Sequence, residues 1–82
     1  MITHLKSEGG WGGYDVYQYK DHVIHATHDT EKGTSRITAQ HEDKEEEICT
    51  IAIPTTAVEG ELQPDENEYE KKLAEALQQW QK

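Results

Sequence analysis

Apolar and polar residues alternate over much of the chain in short runs that are typical of β-strands. Four runs between residues 14 and 54 combine this alternation with β-branched and aromatic side chains. Residues suited to tight turns separate the runs, and Pro54, which has no N–H to donate to a neighbouring strand, ends the last one. We predict an antiparallel sheet over residues 14–54. Its strands would cover 14–20, 22–30, 34–41 and 46–53.

The N-terminal region adds a short strand and a glycine-rich loop. Residues 1–7 have Ile2 and Leu5 as their only apolar anchors, so this fifth strand has the weakest pattern. Residues 9–13 contain four glycines around Trp11. Because glycine loses the most backbone entropy on ordering, we expect a flexible loop here, with the indole at its tip.

The C-terminal residues change from alternation to helical spacing. Apolar side chains recur at intervals of three and four residues, which places them on one face of a helix over 65–82. Asp65 with Glu68 fits a capping box, and Asn67 with Glu70 fits one equally well. We interpret residues 55–64, which contain Gly60 and Pro64, as a linker. The apolar face consists of Tyr69, Leu73, Ala76, Leu77 and Trp80.

Together these elements predict an α+β fold within a single small domain, residues 1–82. We expect a four- or five-stranded antiparallel β-meander with one C-terminal helix packed on one face. Cys49, Ile51 and Ile53 share a face of the last strand and would lie under the helix. Cys49 is the only cysteine, so no internal disulfide forms, and we predict that it is a buried small hydrophobe.

Composition limits the functions that this fold can perform. Hydrophobic residues make up 33% of the 82 residues and Phe is absent, which excludes a large core and a multidomain enzyme. No apolar run approaches the ~18 residues of a membrane helix, and the first residues do not resemble a signal peptide. We therefore expect a cytoplasmic protein. We find no nucleophile elbow, Cys-x-x-Cys pair or phosphate-binding loop, and expect neither catalysis nor a cofactor.

Charge is the most informative feature. Residues 1–41 carry four basic and five acidic side chains, whereas residues 42–82 carry four basic and twelve acidic ones. An acidic surface repels phosphate backbones and anionic membranes and attracts basic proteins. We therefore predict binding to a protein with a basic surface, without direct contact to nucleic acid or membrane. The candidate contact residues are Glu42, Asp43, Glu45, Glu46 and Glu47.

The histidines and aromatic residues suggest alternative roles. His22, His25 and His28 alternate between faces of a strand, with His22 and His28 about 20 Å apart, so they do not predict a single metal site. We expect surface histidines, with His25 near His41 or Asp15. Aromatic side chains are also concentrated near the glycine-rich loop and would form an exposed binding patch, unless Trp11 folds back over the core. The patch residues are Trp11, Tyr17 and Tyr19.

The sequence thus favours a non-enzymatic acidic protein-binding module. In its more specific form the module is an inhibitor that mimics nucleic acid, with carboxylates in place of phosphates on a partner's basic surface. One alternative is a small-ligand or metal-binding module that uses the histidines and the Trp/Tyr patch. Another is a structural subunit or homodimer.

Overall fold

The computed structural model describes residues 2–80 and contains seven strands and one α-helix in that part of the chain. A short 3-10 turn at Gly10–Gly12 lies between the first two strands. The strands are β1 (Ile2–Glu8), β2 (Tyr14–Tyr19), β3 (His22–Asp29), β4 (Thr34–His41), β5 (Lys44–Ala52), β6 (Thr55–Val58) and β7 (Glu61–Pro64), and the helix α1 is Glu66–Trp80.

Strands β1 to β5 form one antiparallel sheet in which every strand pairs with its sequence neighbours. Two-residue turns connect β2 to β3 and β4 to β5, and the first residue of each turn, Lys20 and Glu42, has a positive φ. Gly33 adopts the left-handed conformation at the end of the β3–β4 loop. The α+β meander with one C-terminal helix is confirmed.

Helix α1 begins where the Asp65 capping prediction places it. The Asp65 carboxylate accepts a hydrogen bond from the backbone N–H of Glu68 at 3.1 Å, and its carbonyl accepts one from Tyr69. The backbone N–H of Asp65 donates to the carbonyl of Pro54 at 2.8 Å, so the return bond of a full capping box is replaced by a contact with the end of the sheet. Residues 81 and 82 of the predicted helix lie outside the described residues.

The helix packs its predicted face against the middle of the sheet. Ile24, Ile37, Leu73 and Leu77 are fully buried in this core, and small alanine side chains on β3 and β4 are buried beside them. The buried hydrophobic residues are Tyr17, Tyr19, Ile24, Ala26, Ile37, Ala39, Tyr69, Leu73 and Leu77. In the described part of the chain, no helix is long and apolar enough to cross a membrane.

A bulge alters the predicted burial of β5. Ile37 pairs with Cys49 whereas the next residue, Thr38, pairs with Glu47, so Ile48 is the extra residue. Cys49 therefore lies opposite a fully buried isoleucine, as its phase predicts, but it is only half-buried. Burial raises the pKa of its thiol.

The region predicted to be a linker, residues 55–64, contains regular structure. Strands β6 and β7 form a separate two-stranded hairpin between the sheet and the helix. The glycine-rich segment, residues 9–13, also has defined contacts, because the carbonyl of Gly13 accepts a hydrogen bond from His28 at 2.9 Å. A Cβ atom at Gly13 would collide with the carbonyl of Glu8, so this close approach requires glycine.

Candidate functional site

The five acidic residues predicted to contact a partner lie at one end of the sheet. Glu42 and Asp43 form the β4–β5 turn, and the other three follow in the first half of the edge strand β5. All five are exposed. We call Glu42, Asp43, Glu45, Glu46 and Glu47 the acidic end.

Alternation along β5 divides the acidic end between the two faces of the sheet. Glu46 pairs with buried Ala39 and lies on the helix-covered side, where its carboxylate accepts a hydrogen bond from the Trp80 indole at 2.9 Å. Glu45 and Glu47 lie on the open side. Glu47 forms a 3.1 Å ion pair with Arg36, in which both side chains are more than half exposed. Such exposed pairs contribute about 0–1 kcal/mol, so Glu47 remains available to a competing cation.

Two histidines and a tryptophan border the acidic end. The His22 ring lies 4.9 Å from His41 and 5.0 Å from Trp80, between ring centroids. His41 donates its Nδ1 proton to the carbonyl of Asp21 at 2.8 Å, which ties the β2–β3 turn to β4. The Glu42 carboxylate is 3.9 Å from the other ring nitrogen of His41. These contacts fix the position of the acidic end relative to the helix C-terminus.

The predicted aromatic patch is not formed. Tyr17 and Tyr19 are both 4% exposed and belong to the core, which corrects the expectation that they are surface residues. Burial raises the pKa of the Tyr17 phenol well above its usual value of 10.0. Trp11 folds back over the core, with its ring centroid 4.7 Å from His28 and 5.0 Å from Tyr69. Strand phase explains the burial, since Tyr17 pairs with fully buried Ile24.

A chain of hydrogen-bonded polar side chains lies beneath Trp11 and was not among the predictions from the sequence. Asp15 accepts a hydrogen bond from His28 Nε2 at 2.6 Å, and His28 Nδ1 lies 2.7 Å from the Ser35 hydroxyl. The other carboxylate oxygen of Asp15 accepts from His4 at 2.9 Å. Burial alone would raise the pKa of Asp15, but hydrogen bonds from His28, Ser7 and His4 outweigh it and hold the pKa below 3.8. We call Asp15, His28 and Ser35 the polar chain.

The direction of the hydrogen bonds and the burial of the polar chain determine its role. Because Asp15 is ionised, His28 must donate its hydrogen bond from Nε2, so in the neutral ring Nδ1 accepts a hydrogen bond from the Ser35 hydroxyl. Ser35 is 0% exposed and His28 only 7%, so the hydroxyl is closed to any substrate in this arrangement. Tyr69 is buried against His28, with ring centroids 5.5 Å apart, and burial raises the pKa of its hydroxyl to about 12. The geometry gives the polar chain a positioning role within the core.

The expectation that the strand histidines lie on the surface is therefore wrong for His28. The sequence does indicate that His28 is buried, because it lies on the same face of β3 as Ile24 and Ala26. Asp15 likewise lies on the same face of β2 as Tyr17. His25 lies on the opposite face and pairs with Thr38, so the expected contact with Asp15 or His41 does not form. Among residues 2–80, no group of three or more His, Cys, Asp or Glu side chains has a metal-binding arrangement.

The fold and the acidic end therefore define a small α+β protein with one helix-covered and one open sheet face. Comparison of the chain with protein-family models, with curated proteins and with solved structures found no match.

Proposed function

We propose that this chain is a non-enzymatic protein-binding module whose acidic end binds a basic surface of a partner protein. The observation that carries the proposal is the placement of five exposed carboxylates in six consecutive positions of one turn and edge strand. Lys44 is the only basic residue within that segment. The local field is therefore strongly negative, and it attracts cationic surfaces and accelerates association.

Some carboxylates of the acidic end already have a partner within the protein, whereas others are free to contact another protein. Glu46 accepts from Trp80, so a partner would have to break an existing contact to use it. For the side chains of Asp43 and Glu45, the described part of the chain provides no hydrogen bond or ion pair. Glu42, with a side chain 83% exposed, approaches only His41. Glu42, Asp43 and Glu45 are thus the three residues best placed to contact a partner.

The more specific form of the proposal is mimicry of nucleic acid. Glu45 and Glu47 lie on the same side of β5, and at about 3.4 Å per residue their Cα atoms are about 7 Å apart. Two steps along one strand of DNA cover about the same axial distance. This spacing supports an inhibitor that occupies a site for phosphates on its partner.

Charge reversal tests the proposal. The triple variant Glu42→Lys, Asp43→Lys and Glu45→Lys changes the three carboxylates best placed to contact a partner. The control Glu31→Lys, Glu61→Lys and Glu75→Lys makes the same change in net charge at exposed residues elsewhere. Partners are captured from a lysate at low salt, identified, purified and measured by kinetic binding assays. We expect the first variant to lose more than tenfold in affinity, mainly through the on-rate, and the control to lose much less.

Two further results decide the proposal. Affinity of the wild type should fall as salt rises, because the Debye length shrinks from about 30 Å at 0.01 M to about 8 Å at 0.15 M. Equal losses in the two triple variants, or affinity that is independent of salt, would contradict a specific acidic contact. For mimicry, the chain should displace a labelled oligonucleotide from the partner, and simultaneous binding of both would refute it.

A further inference from the structure

The β6–β7 hairpin is the least covered part of the described chain. Its two strands are joined by Glu59 and Gly60, both with positive φ, 51° and 85°, as a type I′ turn requires. All eight strand residues are exposed, including Leu62 at 75% and Val58 at 43%. An isolated two-stranded hairpin is marginally stable in water, so a hairpin without a covered face gains from an additional strand.

The hairpin follows the end of β5 and is closed at its base before the helix begins. Its two ends meet, since Thr55 pairs with Pro64 and the N–H of Asp65 donates to the carbonyl of Pro54. Among the described residues, neither outer edge of the hairpin pairs with a third strand.

The outer edge of β6 presents unpaired backbone groups. A two-residue turn makes Val58 and Glu61 a hydrogen-bonded pair, and alternation makes Thr56 and Gln63 the next one. The N–H and C=O groups of Thr55 and Ala57 consequently point away from β7. A strand placed on that side would find two residues ready to form hydrogen bonds.

The other sheet edges carry features that discourage such pairing. β1 has Lys6 and Glu8 and a register shift between His4 and Lys6. β5 begins with four consecutive charged residues and contains the bulge at Ile48. Charges and bulges of this kind protect edge strands from association.

β6 differs from all of these edges. Its sequence, Thr-Thr-Ala-Val, has no charge, no proline and no register shift, and three of its four residues are β-branched. The opposite edge of the hairpin, β7, contains Glu61 and ends in Pro64, which has no N–H. β6 is therefore the one unprotected edge among the described strands.

We propose that β6 pairs antiparallel with β6 of a second copy of this chain. With the twofold axis at Thr56, Thr55 of each copy lies opposite Ala57 of the other. The two pairs form four backbone hydrogen bonds and create a four-stranded sheet in the order β7–β6–β6–β7. The geometry favours a second copy as the partner. In an antiparallel pair related by a twofold axis, the outward N–H and C=O groups of Thr55 and Ala57 in one copy meet those of Ala57 and Thr55 in the other, and no charge opposes this pairing within β6.

Charge determines how this dimer responds to salt. Each copy has a net charge of −9, so repulsion opposes association at low salt and screening relieves it. The interface involves only two short hairpins, which places it in the small class that binds weakly. The dimer therefore strengthens as salt rises, whereas binding of the acidic end to a basic partner weakens.

Sedimentation equilibrium of the wild-type protein at increasing concentration and salt tests the proposal. We expect the average mass to rise from 9.4 kDa toward twice that value as concentration approaches about 1 mM, and more steeply at high salt. Thr56→Lys places two like charges next to each other at the twofold axis and should weaken the dimer about fivefold. Gln63→Lys adds the same charge to the same face of β7, farther from the axis, and should have a smaller effect.

Amide hydrogen exchange of the wild-type protein provides a readout that does not depend on a variant. Protection of the Ala57 amide should increase with protein concentration, whereas that of Leu62, on the outer edge of β7, should not. Helical circular dichroism should be unchanged in both lysine variants, since residues 56 and 63 are exposed.

A mass of 9.4 kDa at every concentration and salt would overturn the proposal, as would a dimer that Thr56→Lys leaves intact. The Glu42, Asp43 and Glu45 triple variant should still dimerise. The dimer and the acidic contact can thus fail separately.

Discussion

The five-stranded sheet and the β6–β7 hairpin follow the same local rules but have different packing. Both are antiparallel, and both use two-residue turns with a positive φ. Only the sheet has a helix across one face, and there Ile24, Leu73 and Leu77 are fully buried. In the hairpin every strand residue is exposed. Turn and strand propensity thus suffice to shape a hairpin, while the stability of the molecule depends on the covered face.

The covered face also tolerates polar groups that the hairpin exposes to water. Ser35 and His28 are buried among apolar residues, where an unpaired polar group costs about 1–3 kcal/mol. The polar chain satisfies them in series, from the Asp15 carboxylate to the Ser35 hydroxyl. Buried polar residues here require specific partners, whereas the threonines of β6 are exposed to solvent.

The largest expected effect comes from truncating a leucine on the covered face. Leu77→Ala should lower the free energy of unfolding by about 2–5 kcal/mol, because it leaves a cavity between helix and sheet. Leu62→Ala makes the same truncation in the hairpin and should change it by less than about 0.5 kcal/mol. Urea denaturation followed by circular dichroism measures both. Similar losses in the two variants would mean that the hairpin is covered in solution.

A smaller loss is expected when the polar chain loses its charge. Asp15→Asn should lower the free energy of unfolding by about 1.5–3 kcal/mol at neutral pH, since it weakens hydrogen bonds from His28 and His4 to a carboxylate. Asp43→Asn, at the exposed turn, is the matched control and should have almost no effect.

The pH dependence of that difference has a defined sign. The pKa of Asp15 lies below its usual value of 3.8 in the folded protein, so the folded state favours the ionised form. The stabilisation is complete above the pKa of the unfolded chain and is lost as pH falls through the folded pKa. The gap between wild type and Asp15→Asn in urea midpoint should therefore be constant near neutrality and shrink below pH about 4. If the difference in urea midpoint stays the same at low pH, the effect of Asp15→Asn comes from altered packing and not from the lost charge.

The sequence was sufficient to predict the elements whose signal is periodic. Alternation located strands β2 to β5, and the apolar spacing from Tyr69 to Trp80 located the helix, because both patterns reflect which side chains are buried. The acidic segment is exposed, as expected from its charge rather than from any period. Its proposed role in binding remains a prediction.

Three features were not predicted from the sequence. The β6–β7 hairpin has no buried face, so its residues show no apolar period, and Gly60 and Pro64 suggested a linker. The polar chain joins residues from three strands, and its hydrogen bonds depend on register rather than on sequence spacing. The exposure of Tyr17 and Tyr19 was mispredicted because phase along one strand does not identify which face the helix covers.

The junction between hairpin and helix gives a smaller expected effect. Asp65→Ala removes the acceptor for the Glu68 N–H and should lower the free energy of unfolding by about 1 kcal/mol. Asn67→Ala, which alters the alternative cap, should cause no loss, because residue 67 lies within α1. Chemical denaturation of the two variants distinguishes the caps. A larger loss of unfolding free energy in Asn67→Ala than in Asp65→Ala would indicate that the helix starts two residues later.

The smallest expected effect compares two neighbouring carboxylates of the acidic end. Glu46 lies on the covered side of β5 and accepts a hydrogen bond from the Trp80 indole, whereas Glu45 lies on the open side. Glu46→Gln keeps an acceptor but removes the charge, so it should lower the free energy of unfolding by only about 0.5 kcal/mol and shift the NMR signal of the Trp80 indole proton. Glu45→Gln should leave both unchanged. If the indole signal responds equally to the two variants, the bulge at Ile48 does not fix the side of the sheet on which Glu46 lies, and Glu46 would rejoin the carboxylates available to a partner.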